Sequence, residues 1–431
     1  MLPKEWADAS VESVCSVVSV GIVVNPSHYY VAPGRGVRAF RSGNVRENAI
    51  ADRKWVYLSE LGNAKNKKSI LVSGDVLVVR TGFAGTACVV ADEYAGSNCI
   101  DVLFARPDPK KILSEYLAQI TNSELGRRQV LAGQSGLAQK HLNVATYAKM
   151  SFGLPPVHEQ RGVGKVLSTW DKAICKAELL LENRQLQWQA LLAMTLHLPP
   201  ANPSVNGDAD NGGYPASVQP GIPNLPPAPA GWHRTALGQH LTEVRRHAAL
   251  RADDEYRLVT VKRSRGGVEL RETLTGREIK TPSQFYVRTG DFLISKRQIV
   301  HGACGIVPAE LDGAVVSNEY AVLNSDGQID LRFLRYLSES RYFQQTCFHS
   351  SIGVHVEKMI FKTERWLQWP FNIPPLPVQQ RIVEVLDTAR REVELIAAQI
   401  ERLKQEKAAL MADLLTGKRR VKLNAEAVST P

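Results

Sequence analysis

Two short stretches gather side chains suited to reading nucleic acid. "FRSGNVR" (Phe40–Arg46) sets Arg, Ser and Asn around a glycine, and "KRSRGGVEL" (Lys262–Leu270) holds a comparable place in the second half of the chain. A guanidinium fork matches the O6 and N7 acceptors of guanine, and an asparagine amide matches the N6 and N7 edge of adenine. Lysine and arginine also supply the cations that phosphates require. The candidate DNA-contacting residues are Arg41, Asn44, Arg46 and Arg80 in the first half, and Lys262, Arg263, Arg265, Lys296 and Arg297 in the second. The net charge of +10 on 431 residues points to a polyanionic partner. For each cation a plain solvated charge is the alternative, and sequence alone does not sort phosphate contacts from base contacts.

Bond-breaking chemistry finds little support. The six cysteines include no pair at Cys-x-x-Cys spacing, and the ten histidines lack metal-ligand spacing, so no zinc site is expected. Scattered single cysteines fit a reducing cytoplasm. "VNPSHYY" (Val24–Tyr30) is a partial form of the Asn-Pro-Pro-Tyr motif of adenine-N6 methyltransferases, but no glycine-rich loop precedes it. "PGRG" (Pro33–Gly36) is too short for a nucleotide fingerprint, and no Gly-x-x-x-x-Gly-Lys loop occurs. "VEK" (Val356–Lys358) could close a metal-dependent nuclease motif, yet no suitably spaced aspartate clearly precedes it. The apolar run Val14–Val24 is too short to span a bilayer and has acidic flanks, so it reads as a strand or a helix-to-strand passage rather than a targeting segment.

The elements that would position these residues occur twice. "SGDVLVVR" (Ser73–Arg80) and "TGDFLISKR" (Thr289–Arg297) each predict a Gly-Asp turn followed by a strand. "LPPVHEQR" (Leu154–Arg161) and "NIPPLPVQQR" (Asn372–Arg381) each open a long helical pattern. In the first helix Val163, Leu167, Trp170, Ile174, Ala177, Leu181, Trp188, Leu191 and Thr195 follow steps of four and three, with Arg184 the polar break. In the second helix Ile382, Leu386, Ala389, Val393, Ile396, Ile400, Leu403, Leu410 and Leu414 do the same, with Lys407 the break. Every position lies 219 residues after its counterpart. These are heptad seams, and the simplest way to bury two of them is against each other. Gly417 should stop the second helix. After the Gln-Arg the two openings differ by one residue in register, with Gly162 the extra one, and His158 then corresponds to Val378. Leu198–Gly231 is rich in Pro, Gly, Ala and Asn and reads as a flexible linker between the halves.

On these residues the chain resembles the specificity (S) subunits of Type I restriction-modification systems. The doubled Pro-Pro…Gln-Arg helix opening is the specific signal. "GDVLVVRTGFAG" and "GDFLISKRQIVHGACGIVPAELDGAVVSNEYAVL" support it, and "FRSGNVR" resembles a loop common in such domains. The resemblance implies an α+β fold with a pseudo-two-fold internal repeat: two mainly β target-recognition domains separated by two long antiparallel coiled-coil helices. The expected bounds are 1–152 for the first recognition domain, 153–197 for the first spacer helix and 198–231 for the linker. The second recognition domain takes 232–372, the second spacer helix 373–418 and a flexible tail 419–431. It further implies double-stranded DNA as partner, read as two half-sites, with the helices acting as a ruler and docking methyltransferase (M) subunits and restriction-translocation (R) subunits. The chain itself would be non-catalytic, cytoplasmic and without cofactor or metal. S-adenosylmethionine and ATP with magnesium would belong to the partners. The competing readings are a self-contained DNA-modifying enzyme, which a methyl-transfer assay on the purified chain would reveal, and a coiled-coil scaffold that binds DNA without sequence preference.

Overall fold

The computed structural model describes residues 3–132, 141–198, 214–281 and 283–421. The chain divides into two compact units, one made of Met1–Leu181 with Leu395–Pro431 and the other of Glu182–Glu394. The two long helices, Val157–Thr195 and Leu376–Leu415, each contribute one portion to each unit. Among the described residues, no helix is long and apolar enough to cross a membrane.

Both units repeat one sheet plan. In the first, Cys15–Val20, Val102–Pro107, Val76–Val79 and Ala87–Val89 lie side by side in that order. In the second, Leu241–Glu243, Tyr320–Ser325, Phe292–Ser295 and Cys304–Ile306 take the same order. A two-stranded ribbon precedes each long helix: Ala7–Ser10 with Ser151–Leu154, and His233–Ala236 with Pro370–Ile373, both antiparallel. The apolar run Val14–Val24 begins on the last residue of a helix, Val11–Val14, and passes directly into the strand Cys15–Val20.

The repeated Gly-Asp turn has a structural reason. Gly74 and Gly290 sit at φ +83° and +87°, a region glycine enters without steric cost. The aspartates that follow, Asp75 and Asp291, are buried. Asp75 accepts from Val72 N at 2.9 Å and holds both Arg106 Nε and Nη2 at 2.8 Å. Asp291 accepts from Arg288 N at 2.7 Å and from Arg246 at 2.6 and 3.1 Å. A buried carboxylate is stable only when so paired.

The doubled helix opening is explained by one side chain. Gln160 Oε1 accepts from Leu113 N at 2.9 Å, and its Nε2 donates to Lys111 O and Pro155 O, both at 2.9 Å. Gln379 Oε1 accepts from Asp330 N at 2.9 Å, and its Nε2 donates to Gln328 O and Pro374 O, again at 2.9 Å. Each glutamine is buried and satisfies two backbone groups in the loop that precedes a neighbouring helix and one just before its own helix. This corrects the expected register. Gln160 and Gln379 are already 219 residues apart, so Gly162 is no insertion and His158 corresponds to Pro377.

The heptad positions of both helices are buried or half-buried. In the first unit Val163 and Leu167 join a core with Met411, Leu414 and Leu415. In the second, Leu192 and Leu196 join Ile382, Val383 and Leu386. Within each unit the helix portions therefore pack antiparallel. The polar breaks carry ion pairs: Lys407 Nζ lies 2.5 Å from Asp171 Oδ1 and is itself buried, and Arg184 lies 3.8 Å from Glu392. Gly417, at φ +73°, lies just beyond the second helix.

Two segments expected to be free are held. The described part of the inter-half linker packs on the second unit, where Val218 is fully buried. Residues 199–213 lie outside the described residues. At the other end Arg420 pairs with Glu159 at 2.6 Å and Glu5 at 2.7 Å, and Trp6 Nε1 donates to Glu159 at 3.1 Å. Residues 422–431 also lie outside the described residues.

Candidate nucleic-acid interface

The two basic stretches occupy the same topological position. In the first unit the strand Val37–Phe40 runs parallel to Asn98–Cys99 and antiparallel to Val56–Leu58, and Arg41–Trp55 connects the antiparallel pair. In the second unit Glu255–Val261 pairs parallel with Val315–Ser317 and antiparallel with Val268–Thr275, and Lys262–Gly267 makes the connection. Each loop thus springs from the equivalent strand of a second sheet.

In the first loop two asparagines fix the backbone. Asn44 is buried, and its Oδ1 accepts from Arg41 N at 3.0 Å. Its Nδ2 donates to Ala51 O at 3.2 Å and Arg53 O at 2.9 Å. This corrects the expectation that Asn44 reads adenine: its amide is consumed within the loop. Asn48, at φ +54°, donates its backbone N–H to Ala87 O at 2.9 Å, and its Oδ1 accepts from Asn122 Nδ2 at 2.9 Å. Arg41 and Arg46 are left exposed. Arg41 Nη2 reaches only Lys54 O at 3.1 Å, Arg46 Nη1 reaches Val45 O at 3.2 Å, and neither has a carboxylate partner among the described residues. Arg38 lies behind them, 5.7 Å from the Trp55 ring and 5.6 Å from that of Tyr94. The loop therefore presents two uncompensated guanidinium groups on a braced backbone, an arrangement that saves ordering entropy on binding.

Arg80 departs from expectation. It is half-buried and its Nη1 lies 2.7 Å from Asp101 Oδ1, so it braces the turn after its strand.

The second loop is charge-compensated. Lys262 pairs with Glu269 at 2.6 Å and Arg263 with Glu357 at 3.0 Å, all four side chains well exposed. Such pairs contribute at most about 1 kcal/mol and can exchange a carboxylate for a phosphate. Arg297 pairs with Glu319, also at the surface. Arg265 and Lys296 are different, each mostly covered and paired within the unit. Arg265 is largely covered, donates to Ser338 O at 3.1 Å and lies 3.4 Å from Glu339, whose carboxyl burial pushes up while Arg265 holds it down. Lys296 lies 3.0 Å from Glu243 with both groups mostly covered. These two cations are spent inside the unit.

Sequence reasoning missed the groups that hold the loops. Asn48 and Asp171 carried no motif, yet Asp171 takes Lys407, Gln119 at 2.6 Å and Asn48 at 3.4 Å. His301 sits beneath the second loop: its carbonyl accepts from Ser264 N at 2.8 Å, and Gly302 O accepts from Arg265 N at 2.8 Å. The Lys407 break in the heptad seam was the one available signal.

Val356–Lys358 is a 3₁₀ turn rather than a strand, and Glu357 in it faces Arg263. Among the described residues no three or more His, Cys, Asp or Glu side chains gather as a metal site.

The sequence of residues 245–405 matches the family described as the Type I restriction modification DNA specificity domain. No curated protein matches the chain. Among solved structures, a Type-I restriction-modification system S subunit from M. genitalium aligns with TM-score 0.55 and 9% identity over 96% of each chain. A chain from a study of complex assembly and conformational transition of the type I R-M system aligns with TM-score 0.51 and 16% identity, over 97% of this chain and 100% of that one. These likenesses establish the fold over nearly the whole length. The family match falls on the second half, and the first half repeats its sheet order and its glutamine-anchored helix. Residues 245–405 thus match the Type I restriction modification DNA specificity domain, and the chain shares the fold of the solved S subunit over nearly its whole length.

Proposed function

We propose that this chain reads a bipartite DNA site, one half through each unit, and carries no catalysis of its own. The observation that supports this most strongly is the doubled basic loop on equivalent strands of two repeated sheet plans. Arg41 and Arg46 contact DNA in the first half, and Lys262 and Arg263 in the second, with Arg297 a flanking phosphate contact. The long helices set the gap between half-sites and dock methyltransferase subunits, with restriction-translocation subunits joining that assembly. Methyl transfer from S-adenosylmethionine and ATP-driven, magnesium-dependent translocation belong to those partners. The basic surface and the absence of a membrane-crossing helix among the described residues fit action on cytoplasmic DNA.

The test is the methylated motif in cells carrying the subunit with its methyltransferase. Arg41→Ala with Arg46→Ala should relax one half-site, and Lys262→Ala with Arg263→Ala the other. A lost base contact costs about 1–3 kcal/mol. Uniform weakening at all sites would make these residues phosphate contacts only. Methyl transfer by the purified chain alone would overturn the non-catalytic reading.

A further inference from the structure

The segment entering the second unit is bound along its described length. The Tyr214 ring meets Phe348 edge-on with centroids 5.5 Å apart. Ser217 Oγ lies 2.8 Å from His301 Nδ1, and Val218 beside it is fully buried. His349 Nε2 lies 3.3 Å from Gly221 O, and Pro226 O accepts from Arg234 and Asn372, both at 3.0 Å. At Gly221 a Cβ would come within 2.7 Å of Gln345 Nε2, the end of a side chain on the helix Arg341–His349, so the segment runs close against that helix.

His301 joins this segment to the second reading loop. Its side chain is almost completely buried, and burial together with Arg263 holds its pKa below 6.5 against the pull of Glu357. Nδ1 meets Ser217, while Nε2 lies 3.2 Å from Glu357 Oε1, close enough for attraction but not aligned as a hydrogen bond. Glu357 Oε2 in turn holds Arg263. The His301 and Gly302 carbonyls hold the backbone N–H groups of Ser264 and Arg265, both non-glycine residues at positive φ. A loop held in left-handed conformations stays there only while its surroundings determine it.

We propose that residues 214–230 form a strap that positions the second reading loop, with Ser217 and His301 as positioning residues. This rests on the reading of Lys262–Gly267 as a DNA-contacting loop. The strap fixes His301, and His301 fixes the backbone that aims Lys262 and Arg263. The segment would therefore contribute to specificity at one half-site without touching DNA.

The experiment compares methylated motifs in cells carrying Ser217→Ala, Ser217→Thr, Val218→Asp, or Lys262→Ala with Arg263→Ala, alongside the thermal stability of each complex. Ser217→Ala should reduce discrimination at the second half-site by about 2–10-fold, the effect of one lost hydrogen bond. Val218→Asp should reduce it further, Ser217→Thr should retain wild-type discrimination, and the first half-site should be unchanged throughout. A lower melting temperature with an unaltered motif in both Ser217→Ala and Val218→Asp would make the strap merely structural and overturn the proposal. If the Lys262 and Arg263 variant leaves the second half-site unaltered, the loop assignment fails, and the positioning role falls with it.

Discussion

Gln160 and Gln379 show what a repeated residue can be for. Each is buried and satisfies three backbone groups. Replacing either with leucine keeps the volume but strands those groups, at about 1–3 kcal/mol for each one left unpaired. Hydrogen exchange read by mass spectrometry should show Gln160→Leu loosening the first unit and Gln379→Leu the second. Opening of both units by either variant would count against independent anchoring. The repeat was legible in the sequence as a pattern, but its reason was not, because the partners at Lys111 and Gln328 are known only once the chain is folded. Asn44 was misread for a related cause. A short amide suits an adenine edge and a nearby backbone equally, and local hydrogen bonds often win. Asn44→Ala should therefore lower loop protection from exchange, whereas Arg41→Ala with Arg46→Ala should leave protection intact and alter the motif.

The long helices were the most legible elements, since a heptad period survives in sequence whatever the tertiary context. What the period does not tell is how a polar break is accommodated. Lys407 is buried against Asp171, which also accepts from Gln119 and Asn48, so the break ties the helix pair to the β portion of its unit. Lys407→Met should destabilise the first unit by about 3–5 kcal/mol, because it leaves a covered carboxylate without its cation. Adding Asp171→Asn removes the charge, keeps an acceptor for Gln119 and should recover much of the loss. Denaturant unfolding of the two variants checks this, and equal instability of the single and double variants would exclude an electrostatic origin. The linker was legible only in part. Its composition rules out regular structure, yet says nothing about whether an irregular chain lies free or docks, and residues 214–230 dock through contacts of Tyr214, Ser217, Val218, Gly221 and Pro226.

At the scale of the whole molecule the duplication was plain in the constant 219-residue offset, and the resemblance it supports implied the α+β architecture. The candidate DNA-contacting residues were less legible, because cations suited to DNA and cations that pair internally share the same composition. Arg265 and Lys296 proved to be internal. We propose that two reading units are joined by helices whose length sets the spacing of the site. The most direct test inserts four helix-forming residues after Leu403 and sequences the methylated motif. Four residues add about 6 Å of helix, and B-DNA rises about 3.4 Å per base pair, so the gap should lengthen by one or two base pairs while both half-sites keep their bases. A motif with an unchanged gap, or with altered half-site bases, would contradict it.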